Sequence, residues 1–266
     1  MIWNYGKVLN RFFKKPVEFT HESAMVRRYF PILPASKMRP AWLSDACTAA
    51  KKVKKEGDWA TMSSTCSGLL DYFRGGYVVR CPIDIRVTTN GDGESINYDT
   101  HSPHDYLKSV DIQDVCAFFE KKYMADFVDM PPQTLKTIFK INTGWDVAYG
   151  TDYNFIYSPV TYWGETRFTA VPGILNPECS TALNIPLFWH LLEGITVIKA
   201  GTPLCVLIPV KKNKIPDLII RNANDYELKV RQEIRHANAV RYSHNSGKIA
   251  SGIADEIKNP TRRIKA

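Results

Sequence analysis

Long apolar runs are missing from this 266-residue chain: none nears the roughly 20 residues that a membrane-spanning helix needs. The opening MIWNYGKVLNRFFKKP has no apolar stretch of signal-peptide length and no small-residue cleavage site, which predicts a protein made and kept in a cytosol. Cysteine is sparse. The six, Cys47, Cys66, Cys81, Cys116, Cys179 and Cys205, are scattered with no C-x-x-C pair, so the expectation is buried, reduced thiols and no metal site. No G-x-S-x-G, P-loop or G-x-G-x-x-G is present, and no Cys and His stand at a spacing that suggests a nucleophile. Internal repeats and low-complexity tracts are also absent. The sequence therefore states no reaction and asks for no cofactor.

What is there is a β-rich centre. From Phe139 to Lys211, short apolar and alternating runs are separated at close intervals by Gly, Pro and Asn, the pattern of an antiparallel, strand-rich unit. Strands are predicted near 136–142, 145–149, 153–158, 165–170, 183–188, 195–199 and 203–209. Upstream, YVVRCPIDIRVTT reads as one long strand or a pair. The turn Asn90-Gly91-Asp92-Gly93 then returns the chain as a hairpin through 94–98.

Helices are expected around this centre. Residues 41–56 have Pro40 at their start and Gly57 at their end, with Leu43, Ala46, Cys47, Ala50 and Val53 on one face. Their four lysines, Lys51, Lys52, Lys54 and Lys55, suit the negative end of a helix dipole and need no nucleic acid to explain them. A second helix is expected at about 63–74, capped by Ser63 or Ser64, and a third over 111–124, where Ile112, Val115, Cys116, Phe119 and Tyr123 have helical spacing. A fourth starts near residue 223, with only a narrow apolar stripe of Tyr226, Val230 and Ile234. Residues 1–40 read as an irregular, aromatic-rich arm broken by Pro31, Pro34 and Pro40.

The charge is lopsided. Residues 1–210 hold 22 Lys+Arg and 21 Asp+Glu, whereas residues 211–266 hold 13 and 6, so nearly all of the net +8 belongs to the C-terminal arm. Such an arm suits an acidic partner, nucleic acid or protein, and Lys229, Arg231, Arg235, Arg241, Arg262 and Arg263 are the candidate contacts; a solvated, solubilising tail explains the same charge. The organisation expected is an arm over 1–40, a mainly β domain over 41–210 and a partly helical basic arm over 211–266.

Other polar groups have structural readings. His101, His104 and Asp105 fall in THSPHDY, where Ser102 and Pro103 favour a polar surface loop over a shared metal. His190 is expected to be a satisfied, partly buried histidine. Tyr149, Tyr153, Tyr157, Tyr162 and Trp163 could stack a ligand if exposed in a cleft, but core or subunit packing is the plainer use.

The segments FKINTGWDVAYGTDYNFIYSPV, FTAVPGILNPECSTALNIPLFW and GITVIKAGTPLCVLIPVKK, together with STCSGLLDYFRGGYVVRCPIDIRV and FPILPASKMRPAW, resemble an uncharacterised family of tailed-bacteriophage proteins, marine phages among them. That resemblance implies a phage origin and no reaction. The second half is also distantly similar to the β-clip or jelly-roll of dUTPases and dCTP deaminases, which implies a β-clip or jelly-roll-like antiparallel sandwich with a few short helices. In TGWDVAYG, Asp146 stands where the first dUTPase motif has its aspartate. In GILNPECS, however, Asn176 replaces the water-orienting aspartate, and an amide cannot serve as a carboxylate base. No Ser-Gly phosphate motif lies between Tyr157 and Gly164. The expectation is a non-enzymatic phage protein acting by assembly or binding, a virion component found in particles or host cytoplasm, with homo-oligomeric or phage structural partners and no membrane. The alternatives are a dUTPase-like nucleotide-binding protein or enzyme with an altered site at Trp145, Asp146 and Asn176, and a nucleic-acid-binding protein using the arm.

Overall fold

The computed structural model describes residues 16–56, 67–100, 115–119, 133–212 and 220–240. Among these it holds thirteen strands and four α-helices in a mainly β, antiparallel, sandwich-like fold, as the strand pattern predicts. The chain divides into two compact units, one of residues 1–44 and 66–213, the other of residues 45–65 and 214–266.

The first unit contains all thirteen strands found among the described residues. One sheet runs β1 (Phe19–Thr20), β7 (Ile138–Val147), β11 (Ala182–Trp189), β9 (Phe168–Ala170), with β6 (Cys116–Phe119) also paired to β7. A second runs β10 (Gly173–Leu175), β8 (Tyr153–Ser158), β13 (Pro203–Lys211), β3 (Tyr77–Arg80), β2 (Leu33–Pro34). The third is β12 (Glu193–Ile198), β4 (Ile85–Asn90), β5 (Ile96–Thr100). One core joins them: Phe139, Ile141 and Leu187 from the first sheet, Phe155, Val79 and Leu207 from the second, and Ile85 and Val87 from the third. β7 and β11 alternate buried with half-buried positions, so each offers one face to this core and the other to a wetter surface.

The β4–β5 hairpin forms at the predicted turn. Gly91 (φ 87°) and Gly93 (φ 75°) take the left-handed conformation, and the Asp92 carboxylate accepts from the Glu94 and Ser95 amides at 2.7 and 2.6 Å. A hydrogen bond from the Ser95 hydroxyl, together with those from the two amides, holds the Asp92 carboxyl well below the usual carboxylate range.

Several expectations need correction. The helix expected over 111–124 is instead, at 116–119, a strand: Cys116 to Phe119 pair antiparallel with Ile141 to Ile138. Edge pairing with β7 there overrides a helical spacing of apolar residues. The strands expected at 136–142 and 145–149 are one ten-residue strand, β7. Gly144 does not break it, because its φ of 70° is accommodated where the β7–β11 register shifts between Ala182 and Asn184. Within the segment read as irregular, residues 16–40 contain β1, β2, a short helix α1 (Ala24–Tyr29) and a 3-10 turn (Ala35–Lys37).

The other helices are α2 (Ala41–Glu56), α3 (Ser67–Gly75) and α4 (Asp225–Val240). Ser63 and Ser64, His101, His104, Asp105 and Cys66 lie outside the described residues. Cys81, Cys116 and Cys205 are buried thiols; burial pushes Cys81 up to about 12 and raises the other two further. Cys179 departs from the expectation and is exposed. Among the described residues, no helix is long and apolar enough to cross a membrane.

Candidate functional site

Asp146 is the centre of a candidate cluster with a surface recess. It lies on the wetter face of β7, paired across to Thr20 of β1 on one side and Ala182 of β11 on the other. The Thr181 hydroxyl donates to Asp146 Oδ1 at 2.8 Å, and the Thr181 carbonyl accepts from the Val147 amide at 2.9 Å. A wide-mouthed concavity of about 510 Å³ opens here, lined by Thr20, His21, Glu22, Asp146, Ala148, Tyr149 and their neighbours.

Local geometry fixes its floor and lip. His21 follows β1 and is buried; its Nδ1 accepts from the Ser23 amide at 2.9 Å, and its ring meets Trp145 edge-on with centroids 5.1 Å apart. Arg27 donates to the backbone carbonyls of His21 and Glu22, the latter at 2.7 Å. Gly150 (φ 78°) turns the chain between β7 and β8 and leaves Tyr149 77% exposed at the lip.

The three candidate ligand residues are not brought together. Trp145 is buried, on the face of β7 opposite Asp146, and does not line the concavity. Asn176 sits in the turn after β10, where Oδ1 accepts from the Glu178 amide at 3.1 Å and Nδ2 approaches Cys179 Sγ at 3.5 Å. Its carbonyl accepts from the Cys179 and Ser180 amides at 2.9 and 3.0 Å, so Asn176 is employed as a turn former. Thr20, His21 and Glu22 escape sequence reasoning because a two-residue strand carries no periodic signal, and Thr181, just before β11, reaches Asp146 only through the tertiary fold.

His190 has a structural position. Its Nδ1 lies 3.2 Å from the Thr134 hydroxyl and its Nε2 2.8 Å from that of Thr169, and burial lowers its pKa. The Glu165–Arg167 pair is also structural. Burial opposes ionisation of Glu165, but the Arg167 fork, 2.6 and 2.9 Å away, outweighs this and holds the carboxyl below its usual range. Arg167 also donates to the Val197 carbonyl of β12 at 2.6 Å. Among the described residues, no three His, Cys, Asp or Glu converge as metal ligands.

In the second unit, Lys229, Arg231 and Arg235 are exposed on α4. Arg241, Arg262 and Arg263 lie outside the described residues. The Asn224 side chain accepts from the Glu227 amide at 2.8 Å while Glu227 accepts from the Asn224 amide at 2.9 Å, a reciprocal capping box. Arg221 forks onto Glu227 at 2.6 and 2.8 Å; this pair, with the Asn224 amide, draws the Glu227 carboxyl down to about 2.

No protein-family model and no curated protein sequence matches the chain.

Proposed function

We propose that this protein acts by assembly or binding, as a structural component of a phage particle. The observation that carries the reading is apolar exposure on sheet edges. β10 ends the second sheet with Ile174 66% exposed, and β12 ends the third with Ile195 61% exposed. Edge strands ordinarily carry charge or proline to prevent further pairing, yet β10 is Gly-Ile-Leu and carries neither. Large apolar side chains on strands that, among the described residues, have no partner along one edge favour a neighbouring chain. The resemblance to tailed-phage proteins supports a virion as the place of that neighbour.

The test is mass spectrometry of purified particles of the phage encoding this chain. Its presence at a fixed copy number supports the reading, and its absence from particles overturns the virion role. A second reading, a dUTPase-like nucleotide-binding protein with an altered site, is favoured by the position of Asp146 in a recess. Calorimetry with nucleotides at millimolar concentration tests it, and an absence of binding heat removes it. Nucleic-acid binding through the basic arm has in its favour the exposure of Lys229, Arg231 and Arg235, and requires binding that weakens steeply with salt.

A further inference from the structure

We infer that the concavity around Asp146 receives an arginine or lysine side chain from a partner chain. The inference rests on the assembly reading and names the chemistry of one contact in it.

Shape comes first. At about 510 Å³ the recess falls within the range of roughly 300–1,000 Å³ typical of ligand sites, and its wide mouth admits a side chain still attached to its backbone. Electrostatics come second. The lining residues include two carboxylates, Asp146 and Glu22, and neither Lys nor Arg. The guanidinium nearby, Arg27, is directed at the His21 and Glu22 carbonyls. Asp146 is held by the Thr181 hydroxyl on a floor stiffened by the His21–Trp145 contact, so its carboxylate is oriented before any partner arrives. Third is the aromatic lip. Tyr149 has little support from its own chain at 77% exposure, and its ring offers a face to a cation entering toward Asp146. A charged fork beside an aromatic face suits a guanidinium or ammonium better than an anion or a neutral apolar group.

The experiment is an NMR titration of the full chain with hexa-arginine, hexa-lysine and hexa-glycine peptides. The two basic peptides are expected to shift the amides of Thr20, Asp146, Ala148, Tyr149 and Thr181 saturably, and hexa-glycine to leave them unmoved. Asp146→Asn and Tyr149→Ala should each weaken binding about two- to five-fold, the scale of an exposed ion pair or cation–π contact. Asp71→Asn, at an exposed carboxylate paired with Arg74, should change nothing. Shifts spread over the acidic surface, equal binding by Asp146→Asn and Tyr149→Ala, or no binding at all would overturn the site. The failures are separable: a chain present in particles whose concavity ignores basic peptides loses this site but keeps the assembly reading. A chain that binds them at Asp146 but is absent from particles keeps the site and loses the virion role.

Discussion

The β unit and helix α4 are held by opposite means. In the β unit the stabilising contacts span long stretches of sequence. Phe155 of β8 is fully buried against Phe19 of β1, centroids 5.9 Å apart, and Phe19 in turn meets Tyr77 of β3 at 5.3 Å. Helix α4 draws on its neighbours in sequence: Asn224, Glu227 and Arg221 close its first turn within seven residues, while Tyr226, Leu228 and Ile234 stay 41–47% exposed. Non-local packing buries apolar area, at roughly 25 cal/mol per Å², and fixes a unique geometry. Local capping orders the first turn of a helix with little burial, and among the described residues Tyr226, Leu228 and Ile234 of α4 remain partly exposed.

The largest test of this contrast is Phe155→Ala. Truncating a fully buried aromatic should cost about 3–5 kcal/mol in chemical denaturation of the β unit. A cost under about 1 kcal/mol would mean that the contacts through Phe19 and Tyr77 are not what holds these sheets together.

Next in size is Gly76→Ala. A Cβ at Gly76 would lie 2.5 Å from Val206 Cγ1 and 3.1 Å from the Leu207 carbonyl, both on β13. The Ala35 amide also bonds to the Gly76 carbonyl at 2.8 Å, so the segment is tethered from the other side. Overpacking of this kind should cost about 1–3 kcal/mol, read as a lowered denaturation midpoint with unchanged slope. A neutral substitution would show that β3 and β13 slide apart freely, contrary to a tightly specified body.

How much of this was legible follows the same division. The hairpin at Asn90–Gly93 was readable because four consecutive residues specify it, as was the strand-rich character of 139–211 from its alternation. The strand at 116–119 was not, since Cys116, Phe119 and their neighbours also fit a helix and only the edge of β7 decides. Asp146 was singled out by resemblance, but its partners Thr20, on β1, and Thr181, just before β11, are distant in sequence and no local pattern announces them. Asn176 and Trp145 looked like site residues in sequence; their turn and core roles depend on hydrogen bonds and burial that spacing does not encode. The capping box of α4 was the reverse case, since Asn224 and Glu227 three residues apart are its signature and could have sharpened a helix judged weak on its apolar stripe.

Asn224→Ala tests the local side of the contrast. Losing the cap should cost about 1 kcal/mol, expressed as faster amide exchange in the first turn of α4. Unchanged exchange at Tyr226 and Glu227 would show that the helix is held by something other than its own terminus.

The smallest effect expected is the pH response of His190. Its two ring nitrogens face the Thr134 and Thr169 hydroxyls, at 3.2 and 2.8 Å, an arrangement a neutral imidazole satisfies by donating from one nitrogen and accepting at the other. Burial lowers its pKa from the ordinary 6.5, so in the folded state it takes up a proton later than in the unfolded chain as pH falls. Its contribution is therefore fully present above pH 6.5 and is lost as pH falls from there through the lower folded value. The ring is only half-buried and the hydroxyls can rotate, which keeps the loss small. His190→Gln preserves a donor and an acceptor but cannot titrate. Denaturation midpoints measured from neutral pH down to about pH 5.5 should then fall less steeply for this variant than for the wild type. Identical slopes would assign the acid sensitivity to other groups and leave His190 as a spacer between two threonines.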